Sequence, residues 1–136
     1  MIPKVHRKRS GKCRRGAATV EMALIAPVIL TLIFGSIEFG RMMIVLEIVT
    51  NAAREGARRA VVAGANDTQV FTTVDTYLSQ SDISGYTRSI SPSLADASSG
   101  EPVTVTVSVP YNAVDWGIMF FLGDNTLNAR VTMRKE

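Results

Sequence analysis

Cysteine and histidine are almost missing from this chain. One of each occurs, Cys13 and His6, and residues 16 to 136 contain neither. A single cysteine cannot form an intramolecular disulfide. A stretch without thiol or imidazole has no cysteine nucleophile, no histidine general base and no His or Cys metal ligand. A lipid anchor on Cys13 would require an apolar segment before it, whereas Arg9-Ser10-Gly11-Lys12 precedes it. The acid–base chemistry that remains rests on carboxylates. Asp67, Asp75, Asp82 and Asp115 show no spacing that marks a cooperating pair. The sequence therefore offers no catalytic residue, no metal site and no cofactor, and it points away from an enzyme.

Acids are missing from the amino terminus. Of the 15 Lys and Arg residues, seven (Lys4, Arg7, Lys8, Arg9, Lys12, Arg14 and Arg15) fall in the first 15 positions, where no Asp or Glu occurs. The net charge of +3 is thus unevenly spread, because from residue 16 onward eight cations stand against twelve acids, a net of −4. A basic tail can signal nucleic acid. This one ends at a hydrophobic run, so the positive-inside rule reads it as a cytoplasmic orientation signal, and no nucleic-acid partner is expected.

Ala17 to Ile37 is 21 residues, which as a helix at ~1.5 Å per residue reaches about 31 Å, the hydrocarbon thickness of a bilayer. A secretory signal has a shorter apolar region that ends at a small-residue cleavage site. Here the run continues into a long amphipathic helix, so the span is expected to persist as a single-pass membrane helix. Glu21 lies near its start, and a carboxylate in an apolar zone costs up to a few kcal/mol, which calls for a partner. Pro27 removes a backbone hydrogen bond and should bend the helix.

The rest of the chain suits one small α+β domain. Glu38 and Arg41 are three apart and can pair on one helix face where the span meets water. Glu47, Asn51, Arg54 and Arg58 line one side of the continuing helix, with Val45, Val49, Ala53 and Ala60 opposite. Ala52, Gly56, Ala60 and Gly64 recur every four residues as a ridge of small side chains, against which a partner helix or the chain's own sheet can pack closely. A turn at Gly64-Ala65-Asn66 ends this element. A second helix is expected over 66–80, with Asn66 or Asp67 as its cap and Val70, Phe71, Val74, Tyr77 and Leu78 as its apolar stripe. Weak alternation over 86–91 and strict alternation over 103–109 and 127–133 predict about three antiparallel strands. Between the last two lies the apolar segment Trp116 to Leu122, too short to span a membrane. The expected domains are a basic cytoplasmic leader (1–16), a long helix (17–64, transmembrane over 17–37) and a small outward domain (65–136).

One resemblance adds to this reading. The order Arg14-Arg15-Gly16-Ala17-Ala18-Thr19-Val20-Glu21-Met22 before the apolar run resembles the processing site of type IV pilin-like precursors, cut after a Gly with a Glu five residues further on. The segments RRGAATVEMALIAPVILTLIFGSIEFGR, NAAREGARRAVVAG and the carboxyl-terminal VTMRKE are together similar to the TadE-like pseudopilins of the Tad/Flp (tight adherence) pilus and type II-like secretion system. That likeness implies a minor structural subunit of the bacterial inner membrane, cleaved between Gly16 and Ala17, with Glu21 setting the register between subunits. The partners it implies are a prepilin peptidase, platform proteins, an assembly ATPase and other pilins, besides membrane lipid. Met22 departs from the aromatic residue usual after that Glu. An alternative reading is an unprocessed membrane-anchored module that binds a ligand outside the cell.

Overall fold

The computed structural model describes residues 12–111 and 125–136. Their order is helix α1 (Lys12–Ala60), helix α2 (Asp67–Gln80) and strands β1 (Thr87–Ser91), β2 (Pro102–Pro110) and β3 (Thr126–Arg134). The chain divides into two compact units, Met1–Ser36 and Ile37–Glu136. Together they make an α+β protein with a long apolar helix at its amino end. The Trp116 to Leu122 segment lies outside the described residues.

In the first unit the described residues are helical. The helix continues through Pro27. Its hydroxyls are satisfied locally: Thr31 Oγ1 donates to the Pro27 carbonyl and Ser36 Oγ to the Leu32 carbonyl, each at 2.8 Å. A hydroxyl bonded four residues back presents no free donor to an apolar surround. Val20, Met22, Leu24, Val28, Leu32 and Ile33 all point outward, with exposures from 49% to 71%. This helix is long and apolar enough to cross a membrane, and it fits a single-pass anchor.

The second unit is a three-stranded antiparallel sheet in the order β1-β2-β3. Alternation along β2 places Val103, Val105, Val107 and Val109 in the core, all fully buried. Each contributes about 1.5–3 kcal/mol of transfer free energy. The other face carries Thr104, Thr106 and Ser108. Thr104 pairs with Thr132 of β3 through their hydroxyls at 2.8 Å. Val45, Val49, Ala52, Ala53, Ala57 and Ala60 of α1 and Val70, Val74 and Leu78 of α2 complete the core. Helix α2 starts as its sequence suggests, because the Asn66 side chain accepts from the Gln69 N–H at 2.9 Å and satisfies one of the first-turn donors. Its stripe divides, since Val70, Val74 and Leu78 are buried while Phe71 and Tyr77 are half-buried at the edge.

Three contacts between distant segments close this unit. Asp67 accepts from Ser93 Oγ at 2.8 Å and from the Leu94 N–H at 2.9 Å. Lys135 Nζ donates to the carbonyls of Leu94 and Ala97, at 2.8 and 2.7 Å. The Ser-rich loop after β1 is thereby held between the start of α2 and the end of β3. The Glu136 N–H reaches the Val61 carbonyl at 3.2 Å, so the VTMRKE segment also ties the sheet to the end of α1.

Asp75 joins α2 to β1. It takes the Tyr86 hydroxyl at 2.7 Å and Arg88 Nη2 at 2.9 Å, and the Arg88 guanidinium lies 4.9 Å from the centre of the Phe71 ring. Burial first, then the hydrogen bond to Asp75 and its charge, raise the Tyr86 phenol above its ordinary value, while Arg88 pulls the other way. The unfolded phenol titrates near 10. The contribution of Tyr86 is therefore fully present below about pH 10 and is lost as pH rises through the higher folded value. Urea midpoints at pH 8 and pH 11 should fall further with pH in the wild type than in Tyr86→Phe. Equal falls would remove this assignment.

Candidate functional site

The residues singled out around the expected cut lie on α1, which begins at Lys12. Part of the cationic leader is thus helical, and the Gly16–Ala17 bond sits inside a helix. Gly16, Ala17 and Glu21 are all exposed. A Cβ built on Gly16 meets nothing within 4 Å. The position is open, and glycine weakens the helix there by about 1 kcal/mol relative to alanine. An exposed bond in a weakened turn is one that another protein can unwind and reach.

The row of small residues behaves differently. Ala52, Gly56 and Ala60 are buried in the chain's own core. At Gly56 a Cβ would lie 2.7 Å from Val74 Cγ2, 3.3 Å from Val105 Cγ1 and 3.6 Å from Val70 Cγ1. The backbone of α1 thus approaches α2 and β2 at this point, closer than any other residue allows. Gly64 is not in the row, because α1 ends at Ala60. It adopts φ +79° in open space, the left-handed conformation that glycine takes without steric cost, and it serves the turn.

Glu38 corrects a sequence expectation. The sequence places it at a wet boundary with Arg41, whereas in the structure it is 4% exposed. The Tyr111 hydroxyl, from the residue just after β2, donates to Glu38 Oε1 and lies 3.4 Å from the Glu38 carbonyl oxygen. Tyr111 is itself fully buried. A carboxylate can be taken out of water when a donor meets it. A partner 73 residues away in sequence leaves no periodic signal. Only the unusual Glu38-Phe39 step inside an apolar stretch hints at it.

The carboxylates weighed for acid–base chemistry are engaged structurally or set apart. Asp67 holds the loop and Asp75 holds Arg88 and Tyr86, while Asp82 sits in a turn at φ 54°. Asp115 lies outside the described residues. Among the described residues no group of three or more His, Cys, Asp or Glu could hold a metal ion. A surface groove of about 430 Å³ runs along the seam of α1 and α2, lined by Glu55, Thr72, Thr73, Thr76, Tyr77 and Gln80. The three threonine hydroxyls there donate to carbonyls of their own helix.

Residues 16–58 match the family model described as TadE-like protein. The match opens at Gly16 and runs through the apolar helix to Arg58, so it covers the exposed bond, Glu21, Glu38 and Gly56. No curated protein and no solved structure matches the chain.

Proposed function

We propose that this TadE-like chain is a minor pilin-like subunit in the biogenesis of a Tad/Flp pilus and its secretion machinery. Its TadE-like segment associates it with Tad pili as a structural component. The finer reading is that it is held in the bacterial inner membrane with its amino terminus in the cytoplasm and the Ile37–Glu136 unit outside. A prepilin peptidase trims it after Gly16, and platform proteins, an assembly ATPase and other pilins then act on it. The observation that carries this is the boundary of the family match. It begins at Gly16, where the charged leader ends and the sequence becomes apolar.

Sequencing the amino terminus of the membrane form tests it. A processed chain begins at Ala17. A chain that keeps Met1 refutes processing and favours an anchored binding module.

Glu21 has a role in assembly under this reading. Cleavage creates an amino group at Ala17, protonated below about pH 8, and Glu21 follows one helical turn later in apolar surroundings. Pairing between Glu21 of one subunit and the amino terminus of the next offsets the cost of the carboxylate and admits only one stagger. Glu21→Ala should insert in the membrane normally and be cleaved nearly as well as wild type, but lose most of its co-purification with other pilins. Undiminished co-purification would defeat the registration role.

A further inference from the structure

We infer that strand β3 is a docking edge for an extended acidic segment of another protein, which adds to the sheet as a further antiparallel strand. The segment that this edge selects reads acid, apolar, polar, apolar, acid. The edge is present whether or not the chain is processed at Gly16.

The sheet order β1-β2-β3 leaves β3 with one open side. Just beyond the two ends of the β2–β3 ladder, the Tyr111 N–H donates to the Asn125 carbonyl and the Lys135 N–H to the Glu101 carbonyl. Antiparallel pairs alternate between bonded and non-bonded, so Leu127, Ala129, Val131 and Met133 spend their backbone groups on β2. Thr126, Asn128, Arg130, Thr132 and Arg134 turn their N–H and C=O groups to the open side. Among the described residues one of these groups is engaged, the Thr126 carbonyl, which accepts from Asn128 Nδ2 at 3.3 Å.

The two edges of the sheet are not alike. Strand β1 is five residues long and runs into Pro92. It also turns Arg88 toward the helices, where Asp75 meets it. Short length, an inward charge and proline are ordinary ways to blunt an edge. Strand β3 has none of them. It is nine residues long without proline or glycine, its register runs from Thr126 to Arg134 without a bulge, and its inward residues are all apolar. Two of these, Val131 and Met133, are only half-buried at the rim of the core. A guest strand with apolar residues opposite them completes their burial.

Charge decides the occupant. Arg130 and Arg134 lie on the outer face of β3, exposed, and neither has an acidic partner among the described residues. They stand about 14 Å apart at ~3.4 Å per residue. The outward residues of β1, and those of β2 from 104 to 108, are all Ser or Thr. This face is therefore positive, although the Ile37–Glu136 unit as a whole carries 11 acids against 8 cations. A guest with acids opposite Arg130 and Arg134 matches it, since opposite charges paired across strands are stabilising. A second copy matches poorly. Two fully overlapped β3 strands would set Arg130 against Arg130, and like charges directly opposite repel. No two Asp or Glu residues in the sequence stand four apart, so no other segment of the chain supplies the required spacing. Main-chain bonds give such a complex its affinity, and the alternating side chains give it selectivity.

The test titrates the full chain, in detergent micelles, into two fluorescent peptides. One reads glutamate, valine, threonine, valine, glutamate between threonine flanks, and the other has lysines in place of the glutamates. The glutamate peptide should bind and the lysine peptide should not. The double variant Arg130→Glu, Arg134→Glu should bind the glutamate peptide at least about tenfold more weakly and should now bind the lysine peptide. N-methylation of the peptide amides that face β3 should abolish binding, while methylation of the alternate amides should leave most of it. Absence of binding by the glutamate peptide overturns the inference. Two methylated forms that bind alike mean charge attraction without strand addition, and also overturn it. Thr132→Pro removes one N–H from the open side alone, a place where an edge strand tolerates proline. A dimer seen by light scattering and split by Thr132→Pro would assign the edge to a second copy and overturn the acidic partner.

Discussion

Gly56→Val should unfold the Ile37–Glu136 unit, and Gly56→Ala should destabilise it by about 1–3 kcal/mol, the range for overpacking a well-filled core. The first atom added at this position lands 2.7 Å from a methyl of Val74 and 3.3 Å from a methyl of Val105. Neither neighbour can yield easily. Both valines are fully buried, and β-branched side chains in packed interiors have essentially one accessible rotamer. Alanine recovers about 1 kcal/mol of helix propensity, which offsets part of the clash. Valine adds two further methyls to the same gap and recovers less. Gly40 provides the contrast, since a Cβ there meets nothing within 4 Å, so Gly40→Ala should leave the urea midpoint unchanged or slightly raised. A Gly56→Ala protein as stable as wild type would mean that α1 does not pack this closely on α2 and β2.

Gly16→Leu should abolish maturation, leaving a full-length, membrane-held precursor as nearly the whole population. The structure makes this a clean substitution. A Cβ built on Gly16 meets nothing within 4 Å among the described residues, so the first atom of a larger side chain enters open space. The effect falls on the encounter with the peptidase, in two ways. Bulk at the scissile bond keeps backbone and catalytic groups apart. Leucine also favours helix over glycine by up to ~1 kcal/mol, and this stiffens the turn that must open for cleavage. Immunoblots of membranes against wild type, with mass spectrometry of the amino terminus, give the readout. Processing of the variant at the wild-type rate would remove the peptidase from the proposed function.

Local order determined most of the architecture. A membrane-length helix follows from an apolar run flanked by seven cations on one side. Helix α2 follows from Asn66 and a stripe recurring every three to four residues. Strands β2 and β3 follow from strict alternation, because a half-buried strand must place successive side chains on opposite faces. The junction at Gly16 shows in the sequence as a sudden change from charge to apolar residues, while its exposure is seen only in the structure. Tertiary structure decided what depends on residues far apart. It stops α1 at Ala60 and removes Gly64 from the row of small residues. It presses Gly56 on Val74 and Val105, and so uses that row for the chain's own core. It holds the loop after β1 between Asp67 and Lys135, and it turns Glu38 inward to meet Tyr111. The physical reason is common to all of these. Periodicity reports which face of an element is apolar, since that depends only on neighbours within a few residues. Which partner covers that face, or satisfies a polar group within it, depends on segments brought together only when the core forms.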